Sequence, residues 1–122
     1  MNETKVCEPF TDGNPLAVAA HRHINPDGNE GGWVAETARV SGGARVSLPR
    51  HVLTLGPVGS EDQTVTLART DTGHLLTIGC WQDGTVDQLA AEVARRCPDR
   101  ADEYAEIEAV LRRRIAEWEA DR

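Results

Sequence analysis

The stretch Val34-Ala35-Glu36-Thr37-Ala38-Arg39-Val40-Ser41-Gly42-Gly43-Ala44-Arg45-Val46 decides how the fold is read. Valine recurs every sixth residue, at Val34, Val40, Val46, Val52 and Val58, and alanine follows four places later at Ala38 and Ala44. A period of six is neither the 3.6 of a helix nor the two of an alternating strand. It is the period of a parallel β-helix, where each flat face takes six residues and the chain turns at a corner. Val would fill the interior and Ala would allow the tight corner, with Gly42-Gly43 supplying cheap positive φ. Only the first two hexads are well formed, so residues 33–58 predict little more than one coil. A single rung is not stable alone and needs the rest of the chain, or another copy, to cover it.

On either side the signals are more ordinary. Residues 1–32 are rich in turn formers (Thr11-Asp12-Gly13-Asn14-Pro15 and Asn25-Pro26-Asp27-Gly28-Asn29), with Leu16 to Ala20 as a short strand or helical turn. Residues 52–84 read as antiparallel strands. Val52 to Leu55 ends at Gly56-Pro57, Thr64 to Arg69 puts Val65 and Leu67 on one face, and Asp71-Thr72-Gly73 turns the chain back through Leu75 to Cys80. Residues 85–121 predict two helices. Thr85 and Gln88 make a capping box, with Val86, Leu89, Ala90, Val93, Ala94 and Cys97 on one stripe, and Pro98 stops the first helix. The second starts near Asp99–Asp102 and carries Tyr104, Ile107, Leu111, Ile115 and Trp118, with Arg112-Arg113-Arg114 toward its C-terminal end. That apolar spacing suits packing on the chain's own sheet, and also pairing with a second copy.

The chain has 122 residues, enough for one domain spanning 1–122. Its formal net charge of -7 argues against a nucleic-acid polymer as partner, because neutralising phosphates needs a Lys/Arg surplus. No apolar run approaches the roughly 20 residues of a membrane span, and no secretory signal is visible. Cys7, Cys80 and Cys97 are odd in number and widely spaced, which predicts free thiols in a cytoplasmic setting. Cys7 with His21 and His23 matches no zinc spacing, so no metal and no cofactor is expected.

Residues 31–47, from Gly31-Gly32-Trp33-Val34 through Ala44-Arg45-Val46-Ser47, resemble the polymer-forming hexapeptide-repeat proteins of phages and bacteria. Leu53 to Ser60, Ile78 to Thr85 and the two helices resemble a carboxy-terminal module found after such repeats. The resemblance implies a phage-like α+β protein: a short β-helix-like coil, a small antiparallel sheet and two C-terminal helices. It also raises a degenerate acyltransferase, in which His51, the only His of the repeat, would be the general base. That chemistry needs several stacked coils to form a cleft between subunits.

The functional expectation is a non-catalytic binder that sequesters an anionic, nucleotide-type ligand. Gly56-Pro57-Val58-Gly59-Ser60 leaves a strand for a polar turn whose backbone amides can cradle an anion, although it lacks the Lys-Ser/Thr end of a Walker loop. Arg69, His74, Trp81 and Thr85 would join Gly56, Gly59 and Ser60 at one end of the sheet, with Trp81 as a stacking surface. No catalytic residue is assigned. Cys80 and His74 lie roughly 20 Å apart along an extended segment, too far for a nucleophile pair, and Cys80 reads as a small buried side chain. Asp27, Glu30 and Glu36 have no fixed separation, and Glu103, Glu106 and Glu108 read as a solvated face. The open ends of an unfinished solenoid predict a homo-oligomer, dimer or trimer. A structural module of a virion or polymer is the alternative.

Overall fold

The computed structural model describes residues 19–122. The chain is α+β, with β1 (Ala20–Ile24), β2 (Glu30–Ala35), β3 (Val52–Val58), β4 (Gln63–Arg69), β5 (His74–Ile78), β6 (Trp81–Gly84), α1 (Val86–Arg96) and α2 (Ala101–Ala120). Strands β1 and β2 form an antiparallel hairpin, and β3-β4-β5-β6 form an antiparallel meander. Short 3-10 turns at Pro49–His51 and Pro98–Arg100 precede β3 and α2. The small antiparallel sheet and two terminal helices match the sequence reading. Cys7 and Leu16 to Val18 lie outside the described residues, and Ala20 opens β1.

The β-helix-like coil is not there. Val34 points inward from β2, but the chain then makes turns and forms an antiparallel bridge between Ala44 and Thr70, just past β4, before entering β3. Gly42 and Gly43 lie in a turn without adopting positive φ. The hexad valines do not share one interior. Val34 and Val46 are fully buried beside Ala38, Ala44 and Ala68, Val40 and Val52 are half-buried at the edge of that cluster, and Val58 packs against a different one. Between β2 and β3 the chain is turns and bends, so a spacing of six puts Val34, Val40, Val46 and Val52 on no common face.

Strand β4 is the centre of the molecule. Its Val65 and Leu67 face the helices, with Leu76 and Ile78 of β5 beside them. Against these pack Leu89 and Val93 of α1 and Tyr104, Ile107, Leu111 and Trp118 of α2. Ala68 points to the opposite side, where the 34–46 segment covers it. Thr66, on that side too, accepts a hydrogen bond from the Arg39 amide (3.1 Å) through its hydroxyl. Small side chains at Ala38, Ala44 and Ala68 let this irregular segment approach the sheet closely. The alternation of β4 therefore serves two cores, one on each face.

Helix α1 starts as its sequence dictates: the Thr85 amide donates to Gln88 Oε1 at 3.1 Å. Ala90 and Ala94, expected on the apolar stripe, are exposed, because a stripe of Val86, Leu89 and Val93 already fills the contact with the sheet. Helix α2 runs on to Ala120, which leaves Arg112-Arg113-Arg114 short of the last turn. Its end is tied down: Trp118 Nε1–H donates to the Arg50 carbonyl at 2.9 Å, and Arg114 Nη1 donates to the same oxygen at 3.1 Å.

Candidate functional site

A cleft of about 390 Å³ opens where three connections meet. These are the β3–β4 turn with Gly59 and Ser60, the β5–β6 turn with Cys80 and Trp81, and the corner between the helices with Cys97. The volume is within the range of small-molecule sites.

Each connection is placed by local chemistry. The β5–β6 turn has two residues, Gly79 and Cys80, between the paired Ile78 and Trp81. Gly79 sits at φ +57°, as the first position of a tight hairpin turn requires. That puts Cys80 at an exposed tip. The α1–α2 corner follows from Pro98, and it brings the last turn of α1 and the start of α2 to the cleft. Arg95, Arg96 and Arg100 line it, with Glu61 and Glu92 as the opposing charges. With Glu103 paired to Arg100 beside it, the cleft sets three guanidiniums against three carboxylates, in a chain that is acidic as a whole.

Arg96 is shared. Its Nε donates to Glu92 Oε2 at 2.7 Å, and its Nη1 donates to Cys80 Sγ at 3.3 Å. The guanidinium holds the Cys80 thiol below its ordinary pKa, first through that hydrogen bond and then through its charge. Cys80 is thus an exposed sulfur with a cationic partner, not the buried apolar residue expected from its place at a strand end. Cys97 lines the same cleft and is half-buried. Burial pushes the Tyr104 hydroxyl, also at the cleft, above its ordinary pKa.

Of the residues singled out in the sequence, Gly59, Ser60 and Trp81 line this cleft. The others go elsewhere. Gly56 sits in β3, where the pairing with β4 loses register between Leu55 and Val58. Arg69 leaves the end of β4 and donates to the Arg45 carbonyl at 3.4 Å. His74 accepts the Val86 amide at Nε2 (3.0 Å), so it serves the start of α1. Thr85 caps the same helix. Nor is the Gly59 amide free for an anion: it donates to Glu103 Oε2 at 3.3 Å. Trp81 packs partly against the main core and keeps part of its ring at the cleft.

The histidines do structural work. His51 is buried, and its Nδ1 accepts the Ser47 and Leu48 amides at 3.0 and 3.1 Å. Burial, with the charges of Arg69 and Arg50, pulls its pKa down to about 4. A ring held this way is a poor general base at neutral pH. Buried His23 donates from Nε2 to the Ala44 carbonyl at 2.6 Å. Among the described residues no group of three His, Cys, Asp or Glu side chains is placed to hold a metal. Asp27 and Glu36 do not face each other as an acid–base pair; they bind Arg45 and His21 respectively.

No family model, curated protein or solved structure matches the chain. The likeness to hexapeptide-repeat proteins is overturned by the fold: the quoted residues form a hairpin strand, turns and a bridge in place of a coil. The acyltransferase reading loses its stacked coils with it. Arg95, Arg96, Arg100 and Cys97 were not picked out from the sequence as site residues. The one local signal for them is the run Arg95-Arg96-Cys97 just ahead of the Pro98 stop. Among the described residues no helix is long and apolar enough to cross a membrane.

Proposed function

We propose that this chain is a binding protein for a small anionic ligand, held in the cleft between the β3–β4 turn, the β5–β6 turn and the helix corner. One observation carries the reading: Ser60 and Trp81 meet Arg95, Arg96 and Arg100 in one concavity of about 390 Å³. The guanidiniums offer fixed forks for phosphate or carboxylate oxygens. Arg95 and Arg96 share the half-buried Glu92, and Arg100 pairs with Glu103; ion pairs at a protein surface are worth little, so an anionic ligand can compete for these guanidiniums. The indole suits a planar group, which keeps a nucleotide within the ligand class. A thermal-shift screen with nucleotides and acyl-CoA tests this. A rise of several degrees with an anionic ligand, reduced in the Arg95→Gln/Arg100→Gln variant, is the expected result. A flat response across the panel would overturn the reading.

A second reading, self-association, has its own support. The hairpin exposes Trp33 (57%) and Ile24 (54%), and Arg22 stacks 4.9 Å over the Trp33 ring. Such an apolar face is a candidate contact between copies, unrelated to any solenoid end. Sedimentation of the wild type and Trp33→Ser tests it: a concentration-dependent dimer or trimer lost in the variant supports association, and a monomer at high concentration rejects it.

A further inference from the structure

We propose that the cleft captures an anionic low-molecular-weight disulfide covalently, with Cys80 as the attacking sulfur and Arg95 and Arg100 receiving the ligand's carboxylates. This rests on the anion-binding reading above and adds a reaction to it.

The geometry supplies the three parts such a capture needs. The nucleophile is exposed at the tip of a two-residue turn, so a disulfide can approach Sγ in line. A guanidinium donates to that sulfur at 3.3 Å, favouring the thiolate over the thiol. The cleft extends from Cys80 to Arg95 and Arg100, giving the rest of the ligand a place to lie. In the step itself the Cys80 thiolate attacks one sulfur of the ligand. The Sγ–S bond forms as the ligand's S–S bond breaks, and the other half leaves as a thiolate that takes a proton from water. Cys80 is oxidised to the mixed disulfide and the departing sulfur is reduced, so the ligand itself is the oxidant.

The sign of the charge preference is diagnostic. An ordinary surface thiol on a chain of net charge -7 reacts faster with a cationic disulfide than with an anionic one. Glu61, Glu92 and the Glu103 carboxylate on Arg100 push the same way, so only the three arginines can invert the order.

The experiment incubates the full chain with oxidised glutathione (anionic), 2-hydroxyethyl disulfide (neutral) or cystamine (cationic), and maps each cysteine by peptide mass spectrometry. Glutathione sulfonate, which has no disulfide, reports reversible binding by thermal shift. The expected result is a Cys80 adduct that forms faster than the Cys97 adduct. Oxidised glutathione should outpace cystamine about tenfold at low salt, an order that the Arg95→Gln/Arg100→Gln variant reverses. Arg96→Gln should slow all three disulfides. Equal rates for the two charged disulfides, or modification of Cys80 no faster than of Cys97, would overturn the proposal. Stabilisation by glutathione sulfonate without a Cys80 adduct would sink the covalent step alone and leave the reversible site standing. Cys80→Ser should keep that stabilisation.

Discussion

The hydroxyl of Tyr104 stands where a side chain at Gly59 would begin: a Cβ built on Gly59 would lie 2.8 Å from Tyr104 Oη. Gly59 also has φ +72°. Two costs therefore fall on Gly59→Ala, the left-handed backbone (roughly 1–2 kcal/mol) and the contact with the hydroxyl. They are separable, because the next atoms of the ring are 3.7 Å away. We expect Gly59→Ala to lose about 2 kcal/mol in urea unfolding. Tyr104→Phe should recover part of that, giving a coupling of about 0.5 kcal/mol or more in a double-mutant cycle. Additive effects would show that Tyr104 does not set the turn. The loop is therefore not an open anion cradle, since the chain's own Glu103 carboxylate occupies the Gly59 amide.

The two-sided burial of β4 yields a second prediction. A coil would place Val40 and Val46 in equivalent interiors, and Asp at either would unfold the chain. In the observed fold Val46 is 0% exposed, with its amide donating to Asn25 Oδ1 at 2.8 Å, whereas Val40 sits half-buried at the margin. Val46→Asp should abolish the cooperative unfolding transition, by burying an unpaired charge. Val40→Asp should leave a folded protein of lower melting temperature, as circular dichroism would record. Equal loss in both variants would favour a shared interior.

Why the sequence was legible in some places and not in others follows from range. Strands β3 to β5, the Thr85 cap, the Pro98 stop and the Tyr104–Trp118 stripe are set by neighbours within a few residues and lie close to where local chemistry puts them, although β3 runs through Gly56-Pro57 to Val58 and β5 ends at Ile78, ahead of Cys80. The 34–46 segment is set by what it covers. Ala44 and Val46 are buried because Ala68 and Thr70 lie beneath them, and a spacing rule cannot report a partner more than twenty residues away. The site divides in the same way. Gly59, Ser60 and Trp81 were visible as turn and aromatic signals, whereas the Cys80–Arg96 contact joins two elements through the packing of α1 on the sheet.

His51 gives a pH-dependent prediction. Its folded pKa of about 4 lies below the ordinary 6.5, so between those values the unfolded chain binds more protons than the folded one. Stability from this group is complete above about pH 6.5 and is lost as pH falls toward 4. His74 is shifted in the same direction by burial and adds to the slope. The lowered carboxylates Asp27, Asp71 and Glu92 act at lower pH, below this window. Urea unfolding at pH 7 and pH 5 should show a drop on the order of 1–2 kcal/mol in the wild type. His51→Gln, less stable at pH 7, should have a shallower drop; an unchanged slope would mean the ring is not held neutral.

Arg122 makes a contact that can be tested locally. Arg122 donates from Nη1 to the Thr70 and Asp71 carbonyls at 3.1 and 2.7 Å, and from Nη2 to the Gly73 carbonyl at 2.8 Å. Three acceptors of the β4–β5 turn thus converge on one planar fork, a geometry that an ammonium cannot reproduce. The turn also holds itself, through the Thr70 amide on the Gly73 carbonyl at 2.9 Å. Removing the guanidinium should therefore loosen the turn without unfolding the sheet. In Arg122→Ala we expect hydrogen exchange at the Thr70 and Gly73 amides to rise several-fold, while Val65 and Leu67 in mid-strand keep their protection. Arg122→Lys should resemble the alanine variant more than the wild type. Unchanged exchange at Thr70 and Gly73 in both would show that the turn is held by its own hydrogen bonds alone.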